Sequence, residues 1–146
     1  MLTVVLRKII STTDLSILYL LYDCPFMEFE SLVPILYSDD IPRSIAYYKD
    51  VLGFGNDWIW DQELTFGGIG NDPVRIFFCK GAQGHPGTWI CINLDDLDEY
   101  YETIKARGAV ILSPPADKPW FMREMLVQDP DGHIIRFGHG IECPED

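Results

Sequence analysis

The sequence predicts an α+β protein built from two βαβββ modules, and three observations carry that prediction. A short strand, a helix with an acidic start and three further strands follow one another between residues 31 and 80, and the same order returns between 88 and 138. The two passes are separated by Gly81-Ala82-Gln83-Gly84-His85-Pro86-Gly87, a linker rich in residues that end regular structure. The second pass closes on a hairpin signal, Asp129-Pro130-Asp131-Gly132 set between two alternating apolar runs.

In chain order, Leu32 to Tyr37 reads as the first strand. Asp39-Asp40-Ile41-Pro42 then starts a helix with acidic residues and proline in its first turn, as the helix dipole and the fixed φ of proline favour. Ile41, Ile45, Tyr48, Val51 and Leu52 recur at helical spacing, and Gly53 ends the run. Strands follow at Trp58 to Gln62, Leu64 to Ile69 and Val74 to Cys79, the last two joined by a turn at Asn71-Asp72-Pro73. In the second pass Trp89 to Leu94 is a strand, and Asp95-Asp96 introduces a helix whose apolar face carries Leu97, Tyr100, Tyr101 and Ile104 before Gly108 ends it. Its three strands are expected at Ala109 to Leu112, Phe121 to Asp129 and Ile134 to Phe137.

With 146 residues, 47% of them hydrophobic, the chain has enough apolar surface for one sizeable core or two small modules. A formal charge of −12 and only eleven scattered Lys and Arg argue against nucleic acid as a partner, while the same charge steers cations inward. Cys24, Cys79, Cys91 and Cys143 form no C-x-x-C pair, and all four are read as reduced thiols in a cytoplasmic protein. Residues 1–26 read as an N-terminal extension without a catalytic role, ahead of a single domain over 27–140 and a tail over 141–146. Arg7 and Lys8 before the apolar stretch Leu15 to Tyr22 only partly match a secretory signal, because Asp14 interrupts it and no small-residue cleavage site follows. That stretch is also too short to span a membrane.

The duplication, the segment from Val33 through Asp39-Asp40-Ile41-Pro42-Arg43-Ser44 to Gly53-Phe54, and the closing Asp129-Pro130-Asp131-Gly132 together resemble the vicinal-oxygen-chelate superfamily. That superfamily embraces glyoxalases, extradiol dioxygenases and the bleomycin-resistance proteins, and the resemblance spans Ser31 to about Phe137. It implies the glyoxalase/bleomycin-resistance fold and a homodimer. In the enzymes of the superfamily, His, Gln or Glu from the first and last strands of each module hold a divalent ion. The matching positions here are Val33, ten residues before Arg43, then Trp89, and Arg136 after the closing turn. Valine and tryptophan donate no lone pair to a metal and a guanidinium repels one, so no metal and no other cofactor is expected. His85, His133 and His139 fall in the linker, the hairpin turn and the tail, and are read as structural or exposed.

Among metal-free members the resemblance is to the bleomycin-resistance proteins. Val33-Pro34-Ile35 matches their first strand, whose proline is associated with strand exchange between subunits, and Pro119-Trp120 with Arg123-Glu124 resembles their Pro-Trp-Gly-Arg-Glu segment. Phe121-Met122 here makes that spacing one residue longer and removes the family's glycine. By that likeness Trp120, Trp58 and Phe66 are the rings expected to hold a flat, cationic ligand between subunits, with Trp60 two residues from Trp58 on the same face. Asp57, Asp61 and Glu63 lie near these rings as acceptors for a positive group, and Arg136 belongs to the same candidate site unless it pairs internally with Glu124. The function implied is sequestration of a bleomycin-type antibiotic without catalysis. The alternative is a metal-dependent lyase or oxidoreductase of glyoxalase or dioxygenase type.

Overall fold

The structure, a computed structural model, describes residues 30–143; the extension 1–26, Cys24 and residues 144–146 lie outside the described residues. Two four-stranded mixed sheets make up the fold. In the first module, β1 (Ile35–Tyr37), β2 (Trp58–Ile59), β3 (Phe66–Asn71) and β4 (Val74–Cys79) assemble in the order β1-β4-β3-β2. In the second, β5 (Trp89–Asn93), β6 (Val110–Lys118), β7 (Met122–Gln128) and β8 (Ile134–Gly140) assemble as β5-β8-β7-β6. Each sheet has its first strand parallel to its last and its other neighbours antiparallel, so both modules share one topology.

Helix α1 (Ile41–Ala46) begins as its sequence dictates. The extended Asp40 accepts a hydrogen bond from the Arg43 amide at 3.1 Å, and Pro42 occupies the first turn, where no amide donor is needed. The chain does not continue with α-helical spacing. Tyr47–Val51 form a π-helical turn, and Gly53, at φ +80°, ends it. The wider turn lets consecutive tyrosines reach the second module, where the Tyr47 hydroxyl donates to the Gln128 carbonyl at 2.9 Å and that of Tyr48 to Asp129 at 3.1 Å. Helix α2 (Leu97–Ala106) is capped by Asp96, which accepts from the Glu99 amide at 3.0 Å, and buries Leu97 and Ile104 completely.

The other departures from expectation lie in the strands. The first strand shortens to three residues and β2 to two, while β6 runs to Lys118 through Pro114 and Pro115. Prolines survive there because β6 is an edge strand, with register shifts between Ile111 and Ser113 and between Ser113 and Ala116. Helices cover one face of each sheet, and the sealed interior is made of Leu36, Ile41, Tyr48, Phe78, Ile104 and Phe137 with their neighbours.

A polar seam runs through this apolar interior at the turn between β7 and β8. Asp129 accepts from the amides of Asp131 at 3.0 Å and His133 at 2.8 Å, shaping the turn. Asp131 in turn receives Arg43 at 2.6 Å and the Ser44 hydroxyl at 2.6 Å, and Ser44 lies 2.7 Å from the Ser38 hydroxyl. His133 is fully buried: its Nδ1 accepts from the Thr88 amide at 3.1 Å and its Nε2 donates to the Tyr37 carbonyl at 2.8 Å. It therefore stands as a neutral ring tying β1 to the start of β5.

His133→Phe leaves both backbone groups unpaired in the interior and is expected to lower stability by roughly 2 kcal/mol or more, read from the urea midpoint. Burial pushes the Asp129 carboxyl above its ordinary value, against the opposing hydrogen bonds from His133, Tyr48 and Asp131. A folded-state value above the unfolded one means that this group favours the fold when protonated and that its contribution fades as pH rises through the folded value. Asp129→Asn keeps the Oδ1 acceptor, so its unfolding free energy is expected to equal or exceed that of the wild type at pH 7. The wild type should regain ground as pH falls, and a variant weaker at neutral pH than at acid pH contradicts this assignment.

Candidate functional site

Because the helices cover one face of each sheet, strand alternation sends the intervening side chains to the other face. On the first sheet that open face carries an aromatic cluster. Trp58 and Phe77 lie 5.2 Å apart, centroid to centroid, at an interplanar angle of 80°; Phe66 is 5.7 Å from each. Such tilted and edge-to-face contacts are the preferred geometry of aromatic pairs. Gly68, whose register partners are Trp58 and Phe77, makes the cluster possible, since a Cβ there would come within 2.8 Å of both rings. Trp58 nevertheless remains 36% exposed. A hollow of about 340 Å³ adjoins it, lined by Trp58, Phe77, Asn56 and the Arg75–Asp72 ion pair.

The charges near this cluster are largely committed. Asp57 holds Lys49 at 2.6 Å, and this contact keeps its carboxyl below the usual range. Asp61 accepts from both the hydroxyl and the amide of Thr65, chiefly the hydroxyl holding its carboxyl low. Glu63 and Trp60 stand in solvent, Trp60 beyond the end of β2 and 78% exposed, with its amide bonded to the Phe66 carbonyl.

The second sheet presents a polar arrangement on the matching face. Glu124 is only 5% exposed. Its Oε1 accepts from the Trp120 indole at 3.0 Å and lies 3.6 Å from Arg136, whose Nε is 3.4 Å from the Cys91 sulfur. The internal Glu124–Arg136 pair is thus formed, and Trp120, still 59% exposed, is oriented by the same carboxylate. Gly138, the register partner of Glu124, leaves the space that this side chain fills.

The structure therefore brings Trp58 together with Phe66, and Trp120 together with Arg136 through Glu124. No ring contact or hydrogen bond among the described residues joins the two groups. Reasoning from sequence pairs Glu124 with Arg136 as one alternative but misses Phe77 as the third ring and Glu124 as the acceptor for the Trp120 indole. The signal for Phe77 was the Gly67-Gly68 pair opposite it, a gap in one strand that calls for a large side chain on the next.

The donor set does not suit a divalent ion. Val33 precedes β1, Trp89 opens β5 and Arg136 lies on β8, between β5 and β7, where its guanidinium sits between Cys91 and Glu124. Among the described residues no three His, Cys, Asp or Glu gather as a metal site. Cys79, Cys91 and Cys143 are free thiols, and no described helix is long and apolar enough to cross a membrane.

Residues 30–137 match the family model described as the Glyoxalase/Bleomycin resistance protein/Dioxygenase superfamily. A bleomycin resistance protein of Geobacillus stearothermophilus is 32% identical over 127 residues, covering 72% of this chain and 92% of the relative. Among solved structures, the bleomycin-binding protein from bleomycin-producing Streptomyces verticillus, complexed with copper(II)-bleomycin, superimposes with a TM-score of 0.64 at 24% identity over 77% of this chain and 97% of that one. A glyoxalase-related enzyme from Clostridium phytofermentans does so with a TM-score of 0.68 at 20% identity, over 80% and 99%. These structural likenesses establish the fold, and the family match with the curated relative establishes more: the chain belongs to the Glyoxalase/Bleomycin resistance protein/Dioxygenase superfamily.

Proposed function

We propose that this chain is a metal-free binding protein that sequesters a flat, aromatic antibiotic of bleomycin type and thereby confers resistance without modifying the drug. The Trp58–Phe66–Phe77 cluster on an open sheet face is the observation that carries the reading. Rings already packed against one another keep their orientation without a ligand, so a planar heterocycle stacks on them with little further loss of side-chain freedom. The name of the 32% identical relative supports the ligand class. The absence of a donor at Val33, Trp89 and Arg136 supports binding over metal-dependent catalysis.

In this reading Trp58 and Phe66 hold the flat part of the ligand, and Trp120, steered by Glu124, supplies a further ring from a second copy of the chain. Trp60, Asp61, Glu63 and Arg136 belong to the outer parts of the groove, where Glu63 is the carboxylate left for a cationic tail. The exposed Ile35 and Trp89, on strands at sheet edges, supply apolar surface for the subunit boundary. The protein works in the cytoplasm, between the drug's entry and its target.

Titration calorimetry with metal-free bleomycin tests the proposal. Saturable heat near one ligand per subunit is expected, and Trp58→Ala should weaken binding by about 1 kcal/mol or more, roughly fivefold, while the far-ultraviolet dichroism stays unchanged. No heat at micromolar protein discards bleomycin as ligand. Turnover of a glyoxalase or dioxygenase substrate with added metal would replace binding by catalysis.

The role of Glu124 has its own readout. In a chain whose only tryptophan is Trp120, Glu124→Gln retains an acceptor for the indole and should leave the emission maximum in place. Glu124→Leu should shift that maximum to the red and, in the chain with its other tryptophans intact, lower affinity for the drug; an unshifted spectrum would show that Trp120 is held by something else.

A further inference from the structure

A cleft of about 480 Å³ lies between the turn joining β3 and β4 and the N-terminal end of α2, apart from the aromatic cluster. Its floor is apolar: Phe54, Val74, Ile92, Leu94 and Tyr100 are all left half-buried there. Tyr100 is fixed in place, donating its hydroxyl to the Leu52 carbonyl at 2.8 Å and packing edge-on against Phe137 at 5.0 Å. The volume falls in the range of small-molecule sites, roughly 300–1,000 Å³.

The rim is acidic. Asp95, Asp96 and Glu99 line one side and Asp72 the other; the basic groups beside the lining are Arg75, paired with Asp72, and Arg107, whose guanidinium lies against Gly53 and pairs with neither Asp95 nor Glu99. Asp72 is occupied by Arg75 at 2.6 Å, and Asp96 caps the helix. The side chains of Asp95 and Glu99 have no ion-pair partner among the described residues. The positive end of the α2 dipole, about half a charge, opposes a cation here, but three carboxylates at the same helix end outweigh it. An anion would meet those carboxylates unshielded, and a neutral ligand would gain only the floor.

We infer that this cleft is a second small-molecule site, which takes an organic ammonium ion with a flat apolar body, the body on the Phe54–Tyr100 floor and the ammonium against Asp95 and Glu99. The net charge of −12 favours the same class of ligand at long range. This site is distinct from the proposed antibiotic groove, although Asp72 borders both it and the hollow beside Trp58: its lining includes Ile92 and Phe137 from the helix-covered side of the second sheet, whereas Trp58 and Phe66 lie on the open face of the first.

Dansylcadaverine, a fused ring carrying a primary ammonium, is the probe, followed by its fluorescence on titration with the full chain. Saturable enhancement is expected, weakened about fivefold or more by the double variant Asp95→Asn/Glu99→Gln and by moderate salt, as interactions between partly exposed charges require. Thr103→Arg, which sets a cation at the rim, should weaken it as well, and dansylamide, which lacks the ammonium, should bind as weakly to the wild type as the probe binds to the double variant. Trp58→Ala should leave the probe's affinity unchanged even as it weakens bleomycin. Equal affinity for the two dansyl compounds, wild-type affinity in the double variant, or no enhancement at all would overturn the assignment. Loss of the signal in Trp58→Ala would overturn it too, by moving the probe to the open face.

Discussion

Everything else in this fold depends on the five-residue turn from Asp129 to His133. A βαβββ module alone has a helix on one sheet face and too little surface to seal it, so the two modules must share an interior. The turn locks them together. Asp129 shapes it and receives Tyr48, Asp131 receives Arg43 and Ser44 from the other module's helix, and His133 bridges Tyr37 and Thr88. Tyr48, Ser44, Asp129 and His133 are buried, and a half-satisfied set would cost far more than an apolar contact. That is why each one finds a partner, and why the π-helical turn at Tyr47–Val51 is tolerated: it aims two tyrosines at this seam.

With the helices committed to one side, the other face of each sheet is free to differ. The first became aromatic and the second polar, and glycine has the same part in both. Gly68 leaves room for Trp58 and Phe77, and Gly138 leaves room for Glu124. Two sheets of one topology thereby present different chemistry: a stacking surface in one and, in the other, an indole held by a carboxylate that an arginine also contacts. Several carboxylates near the rings are engaged in local contacts, Asp57 with Lys49 and Asp61 with Thr65, while free carboxylates gather at the start of α2.

Much of this was legible residue by residue. Asp40 and Asp96 mark their helices because a short side-chain acceptor must satisfy the first free amides, and the turn at Asp129-Pro130-Asp131-Gly132 is set by local backbone preference. The continuation of β6 through Pro114 and Pro115 was not legible, since proline is excluded from a strand only when that strand is central, and edge position is a property of the sheet. Trp58 and Phe66 were found as rings, but the third ring was not, because its place follows from the register of β3 on β4.

By itself, then, the sequence determined the repeated order of elements with their caps and turns, all of which rest on residue type and short-range spacing. Tertiary structure alone decided which strands became edges, that His133 is a buried neutral ring, that Phe77 joins Trp58 and Phe66, and that Glu124, besides meeting Arg136, accepts from the Trp120 indole. The physical reason is distance along the chain. These contacts join residues brought together by strand pairing and module packing, and no local periodicity records which residue will lie opposite which.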